Sequence, residues 1–161
     1  MIVRETNVQD WVSLKTVRLQ ALLDAPKAFG VSYKTAITYT DERWKELASS
    51  ERLPHFWLAL DRDEPVGMIG AGVDQTGHFN LIGMWLNSKY RGSGVAEHLV
   101  NAVKARAIDM EYQRVILNVS PDNLRAFQFY KKQGFVFIDE FEELSSHPHI
   151  KVQTMEWVSM A

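Results

Sequence analysis

The run Arg91-Gly92-Ser93-Gly94-Val95-Ala96 has the residue types needed to hold an anion. It follows an apolar, strand-like stretch and opens an amphipathic helix. Two glycines separated by one residue let the backbone turn tightly and approach a ligand with no Cβ in the way. The first turn of the next helix leaves N–H groups without intrahelical partners, and these groups and the helix dipole favour a phosphate. The same glycines would also serve a plain strand-to-helix connection, and a lone G-x-G does not separate the two readings. Farther along, Asn123 and Tyr130 are spaced so that on one helix they share a face two turns apart, about 10 Å along the axis. A single ligand can touch both. Each also has a plainer role, Asn123 as an N-cap and Tyr130 as a packed aromatic beside Phe127 and Phe129.

These residues must be positioned by a chain of 161 residues, which fits one domain, residues 1–161, with a real hydrophobic core. A hydrophobic content of 46% and a charged content of 24% are ordinary for a soluble globular protein and unlike a disordered or low-complexity chain. The formal net charge of -2 weighs against broad capture of nucleic acid, although a local basic patch is still allowed. Cysteine is absent, which removes disulfides, thiolate metal sites and cysteine nucleophiles together. Met1 to Glu5 has no apolar signal core, and no stretch approaches the roughly 20 apolar residues that span a bilayer. A cytoplasmic location with no membrane association is therefore expected. His147 and His149 flank Pro148 and read as part of a loop rather than a metal pair, so no metal is expected.

The periodicity predicts a short strand from Ile2 to Glu5 and a helix from about Val8 to Asp24, capped by Asn7 and ended by Pro26. Lys27 to Thr40 shows no clean period and reads as a loop or irregular helix. A helix capped by Thr40 or Asp41 runs to Ser50. His55–Leu60, Pro65–Val73 and Phe79–Leu86 read as three strands in an antiparallel meander, broken at hairpin length. A helix to about Met110, a buried strand Arg114–Val119, a helix from Pro121 to Gly134 and strands Phe135–Phe141 and Ile150–Val158 complete the order. A meander followed by alternating strands and helices indicates an α/β or α+β three-layer domain with a mixed sheet.

Gly83-Met84-Trp85-Leu86, then Tyr90-Arg91-Gly92-Ser93-Gly94-Val95-Ala96, then Leu117-Asn118-Val119 with Asn123, Ala126, Tyr130 and Gly134-Phe135, resembles the signature of the GNAT superfamily of N-acetyltransferases. The specific motifs occupy about residues 83 to 135, and the element order is similar over the whole chain. The resemblance implies a central, mixed, mostly antiparallel sheet of about seven strands flanked by about four helices. It also implies acetyl-CoA as cofactor, transfer of the acetyl group to an amine, and CoA as product. The family's nucleotide fingerprint falls on Arg91, Gly94 and Ala96. In that role the backbone from about Gly92 through Ser93 and Val95 to Ala96 meets the pyrophosphate, with charge from Arg91 nearby. Met84, Trp85 and Leu86 present a strand edge to the amides of the pantetheine arm through their main chain. Their plain reading as a core strand is compatible with this. The resemblance further implies a bulge in this strand, which Gly83 would ease.

Asn123 and Phe127 join the cofactor side on this reading. The family's tyrosine, matched by Tyr130, protonates the departing thiolate, and a phenol of pKa about 10 carries its proton at neutral pH. Family members often place a basic carboxylate on the central strands, but Phe79 to Leu86 contains no Asp or Glu. Asp74, His78 and His55 are conceivable bases, each with a surface-loop reading beside it, and a water chain would need no dedicated base. Acceptor specificity is expected from the first two helices and the loop between them, with Phe29, Tyr33 and Trp44 as candidate lining residues for an apolar or aromatic amine and core packing as their plain reading, together with the loop before the last strand. The acceptor is a small-molecule or peptide amine, and a homodimer is compatible with the family. The alternative from another class is a non-catalytic acyl-CoA-binding or sensing domain, for which Tyr130 would be superfluous. A P-loop or dinucleotide fold is disfavoured, because the glycine run lacks both Gly-Lys-Ser/Thr and a third glycine.

Overall fold

The computed structural model of the protein describes residues 1–159. Strand β1 (Ile2–Glu5) ends where Asn7 starts a reciprocal cap. The Asn7 side chain accepts the Gln9 N–H, and the Asp10 carboxylate accepts the Asn7 N–H, both at 2.9 Å. A short 3-10 turn leads into α1 (Trp11–Asp24), which buries Leu14, Val17, Ala21 and Leu22 along one stripe. Ser32 and Thr40 cap the one-turn α2 (Tyr33–Ala36) and α3 (Asp41–Ala48). The meander of β2 (His55–Asp61), β3 (Glu64–Val73) and β4 (Phe79–Leu86) follows. Then come α4 (Val95–Asp109), β5 (Arg114–Val119), α5 (Leu124–Lys132), β6 (Val136–Leu144) and β7 (His147–Val158).

The seven strands lie in the order β1-β2-β3-β4-β5-β7-β6. Every neighbouring pair is antiparallel except β4 and β5, which are parallel. The sheet separates two cores. Leu14, Val17, Ala21, Phe29 and Ala48 pack under α1–α3 on one face, whereas Leu99, Val103, Tyr130 and Phe135 pack under α4 and α5 on the other. The architecture is the three-layer α+β fold expected, and α2 supplies the one helical turn beyond the four helices anticipated. The last hairpin differs from expectation. β6 runs on to Leu144 and β7 begins at His147, so His147 and His149 lie in a strand and not in a loop. A two-residue turn, Ser145-Ser146, lets pairing continue to Leu144 opposite His147.

Two irregularities shape the centre of the sheet. Gly70 faces Ile82 and Met68 faces Trp85, so three steps along β4 oppose two along β3. The extra residue is a bulge containing Gly83, whose φ of +61° favours glycine. The bulge inverts the alternation of β4. Phe79 and Leu81 face the α4 core before it, Met84 and Leu86 take that side after it, and Trp85 joins the α1 core. The second irregularity is that β4 and β5 pair only at Asn80 opposite Ile116. β5 pairs along its whole length with β7 on its opposite edge, while β4 and β5 diverge from each other toward their C-terminal ends.

At the other side of the meander, Arg106 of α4 lies over the Trp57 ring and 2.6 Å from the Glu5 carboxylate. Its Nη1 is 2.5 Å from His55 Nδ1. Burial, and then the Arg106 charge, push the His55 pKa below its ordinary 6.5. The unfolded chain takes up this proton first as pH falls. His55 therefore contributes stability above pH ~6.5 that is lost on acidification. Urea unfolding across pH 7.5 to 5 should show that decline flattened in His55→Gln; equal slopes in both proteins would contradict this reading. Leu99, fully buried between α4 and the sheet, should cost about 2–5 kcal/mol when replaced by Ala, with an unchanged urea m-value.

Candidate functional site

The end of β4 leads directly into the glycine run. A 3-10 turn over Ser88–Tyr90 is capped by the Asn87 side chain, which accepts the Lys89 N–H at 3.0 Å. The Tyr90 hydroxyl donates to the Asp61 carboxylate at 2.6 Å and anchors this turn to the β2–β3 hairpin. Ser93 Oγ donates to the Tyr90 carbonyl at 2.5 Å. Gly92 and Gly94 both have left-handed backbones, with φ of +82° and +88°. A Cβ on either would meet nothing within 4 Å. Gly94 is the N-cap of α4 and has no side chain to occupy the cap. Val95 is buried beneath it and Ala96 half-buried. The first-turn N–H groups of α4 therefore have no competing side chain in front of them, which fits a pyrophosphate.

Arg91 lies 3.6 Å from the Asp24 carboxylate, which also accepts the Trp85 indole N–H at 2.9 Å. Asp24, the last residue of α1, thus ties α1 to β4 and to the glycine run. It was absent from the sequence reading, where it marked only a helix end.

Beyond the single pairing of Asn80 with Ile116, the main chain of Met84, Trp85 and Leu86 has no strand partner on the β5 side. The fork between β4 and β5 is thus a strand edge inside a sheet. At its β5 side stands α5. The Asn123 side chain caps it, accepting the Ala126 N–H at 3.3 Å. Its amide N–H groups have no partner among the described residues. Phe127 stacks on Phe137 with ring centroids 4.9 Å apart. Tyr130 is 9% exposed and meets Phe129 and Phe135 edge to face. Burial pushes its phenol pKa above the ordinary value, so the group carries its proton at neutral pH. No protein group among the described residues hydrogen-bonds to its hydroxyl. The plain roles, cap and packed aromatic, are both occupied, and both leave polar atoms to spare.

The three conceivable bases do not reach this fork. Asp74 Oδ1 accepts the Thr76 N–H, the Thr76 hydroxyl and the His78 N–H, so Asp74 builds the β3–β4 turn. That turn is at the start of β4, roughly 23 Å along the strand from Leu86. His55 pairs with Ala71 near the same end. The antiparallel meander places this turn away from the glycine run. Among the described residues, no group of three or more His, Asp or Glu could hold a metal ion. No helix among them is long and apolar enough to cross a membrane.

On the other side of the fork, Phe29 is buried in the α1 core, and its carbonyl accepts the Ser146 hydroxyl at 2.6 Å. The β6–β7 turn is thereby clasped to the α1–α2 connection. Tyr33 opens α2 and is half-buried against the same core. Arg18 of α1 stacks over the Phe29 ring at 5.1 Å and lies beside the bulge, its Nη1 2.9 Å from where a Cβ on Gly83 would stand. The sequence reading passed over Arg18. The signal was present, because positions 14, 17, 18, 21 and 22 form one helical stripe on which Arg18 is the only charged residue.

A profile of the acetyltransferase (GNAT) family matches residues 19–135 of this chain. Human N-acetyltransferase 8 is 35% identical over 91 residues, a match that takes in 53% of this chain and 40% of that protein. The chain thus matches well under half the length of this relative. An acetyltransferase of the GNAT family from Streptococcus pneumoniae superposes with a TM-score of 0.78 at 21% identity over 98% of both chains. A putative streptothricin acetyltransferase from Bacillus anthracis, solved in complex with acetyl coenzyme A, superposes with a TM-score of 0.59 at 21% identity. That superposition covers 68% of this chain and 64% of the other.

Proposed function

The chain belongs to the acetyltransferase (GNAT) family, and we propose that it is an acetyl-CoA-dependent N-acetyltransferase acting on a primary amine by direct transfer within one domain, residues 1–161. The observation that carries this reading is the unpaired main chain of β4, opening onto the uncapped N-terminus of α4. Both halves suit a CoA ligand. A pantetheine arm is an amide chain that can pair with a strand edge, and its pyrophosphate suits a helix N-terminus cleared of side chains. Bound acetyl-CoA supplies a thioester whose acetyl group passes to a neutral amine: an N–C bond forms, the C–S bond breaks, one proton leaves the nitrogen for water and one reaches the sulfur.

On this reading the backbone from Gly92 through Ser93, Gly94 and Val95 to Ala96 holds the pyrophosphate, and Arg91 adds charge at its edge, held in place by Asp24. Met84, Trp85 and Leu86 contribute their backbone groups, so their side chains remain free to pack in the two cores. Asn123 offers its spare amide N–H groups, and Phe127 supports α5. Tyr130 donates its proton toward the sulfur. Burial holds this phenol neutral, and the same dry surroundings raise the basicity of a thiolate formed beside it. Asp74, His78 and His55 all lie away from the fork, which supports water as the acceptor of the amine proton. The acceptor enters from the side of Phe29 and Tyr33.

Calorimetric titration with acetyl-CoA should give saturable binding in the wild-type protein, and Gly94→Glu, which places bulk and negative charge in the cradle, should abolish it. No binding by folded wild-type protein would reject the reading. In a thiol-release assay Tyr130→Phe should lower kcat by about 10²-fold or more while acetyl-CoA affinity changes little. Because the hydroxyl has no protein partner, that variant should unfold at a urea concentration no lower than wild type. Unchanged turnover would leave Tyr130 as a packing residue. Acetyl-CoA binding with no turnover of any amine would favour a sensing domain.

A further inference from the structure

The cleft between α1, α3 and the sheet contains donors that the protein itself leaves unsatisfied. It has a volume of about 130 Å³, and Arg18, Tyr39, Arg43, Trp44, Phe56 and Met68 are among its walls. Arg18 Nη1 and Trp44 Nε1 are both buried, and neither has a hydrogen-bond partner. No carboxylate among the described residues pairs with Arg18, and burial lowers the pKa of its guanidinium. Trp44 is 1% exposed. Native interiors rarely leave buried donors unpaired, and here two occur on walls of one cleft that has no acidic residue. The missing partner is therefore an acceptor, and beside a desolvated guanidinium it is an anionic one.

The position of Arg18 fixes where that anion lies relative to the chemistry. Its guanidinium touches the bulge at Gly83 in β4, next to the Met84–Leu86 edge. An acceptor nitrogen delivered to the fork and an anion held by Arg18 can then be only a few bonds apart. The guanidinium carbon lies 5.1 Å from the centre of the Phe29 ring, and the planar fork of a guanidinium suits a carboxylate. Arg43 at the rim is paired with Glu46 at 3.2 Å, so Arg18 is the cation that the cleft leaves unpaired.

Resting on the acetyltransferase reading, we infer that the acceptor is a free amino acid, its carboxylate bound by Arg18 with the Trp44 indole as second donor while its amine faces the fork. Arg18 is thus a specificity residue built into the acceptor side of the site.

The test uses the full-length protein, acetyl-CoA and a panel of free α-amino acids, β-alanine and 4-aminobutyrate, with the matching amides and spermidine as controls. Thiol release should show at least one amino acid favoured over its own amide by about 10- to 100-fold in kcat/KM. Arg18→Met keeps most of the stem. It should reduce that ratio to within a few-fold of one, chiefly through KM, with a urea midpoint equal to or above wild type. A ratio near one in the wild-type protein overturns the inference without any variant, as does preference for spermidine. A ratio that survives Arg18→Met overturns the role of Arg18. If acetyl-CoA binds but no amino acid in the panel is acetylated, the inference fails and the acetyltransferase reading stands. If acetyl-CoA does not bind, both fail.

Discussion

The single contact between β4 and β5, Asn80 opposite Ile116, is the constraint on which the rest of the molecule turns. A sheet normally satisfies the main chain of a central strand on both sides, because unpaired backbone N–H and C=O groups are costly to bury. Here β5, paired with β7 on its far edge, diverges from β4 and leaves β4 one-sided toward its C-terminal end. The cost is tolerable only if water or a ligand occupies the gap. Everything that lines the gap is arranged to keep it open. Gly83 adds a residue to β4 and shifts its strand away from a flat course, and Gly92 and Gly94 place no side chain where the chain leaves the sheet. Opposite them, α5 stands at the far wall with Tyr130 and Phe135 packed against the α4 core.

Asp24 shows how the two faces are kept in step. One carboxylate accepts the Trp85 indole and lies near Arg91, so the end of α1 is fixed to the strand edge and to the start of the glycine run. The end of α1, the edge of β4 and the loop that leads into α4 meet at this residue. A charged group at such a joint transmits position rather than chemistry. Moving α1 would move Arg18 and the glycine run together.

The readable parts of the sequence were those governed by local rules. Alternation delimited β2, β3 and β4, helical spacing delimited α1 and α4, and the Asn7, Thr40 and Asn123 caps marked helix starts within a residue or two. The Arg91–Ala96 run announced a tight strand-to-helix passage because only glycine occupies left-handed backbone at little cost. The features that needed the third dimension were not local. Where β4 and β5 part depends on how two strands separated in sequence by the whole of α4 are packed, which no local pattern records. The remoteness of Asp74, His78 and His55 from the fork follows from which end of the meander faces the glycine run, and spacing says nothing about that. Trp44 gave no sign that its indole would go unpaired. Arg18 is different, since a cation in the middle of the stripe formed by Leu14, Val17, Ala21 and Leu22 breaks the expected pattern in plain view. Sequences tend to break local rules where function demands it.

The Ser146 hydroxyl and the Phe29 carbonyl belong to segments 117 residues apart, yet this one hydrogen bond holds the β6–β7 turn to the α1–α2 connection. Pairings inside the β2–β3–β4 meander close short loops, whereas this clasp closes a very long one, so it forms late in folding and is among the cheapest contacts to lose. Release of the β6–β7 turn from the α1–α2 connection requires no change in the glycine run or in β4. The molecule can therefore breathe at this clasp through local opening events that leave the glycine run and β4 folded.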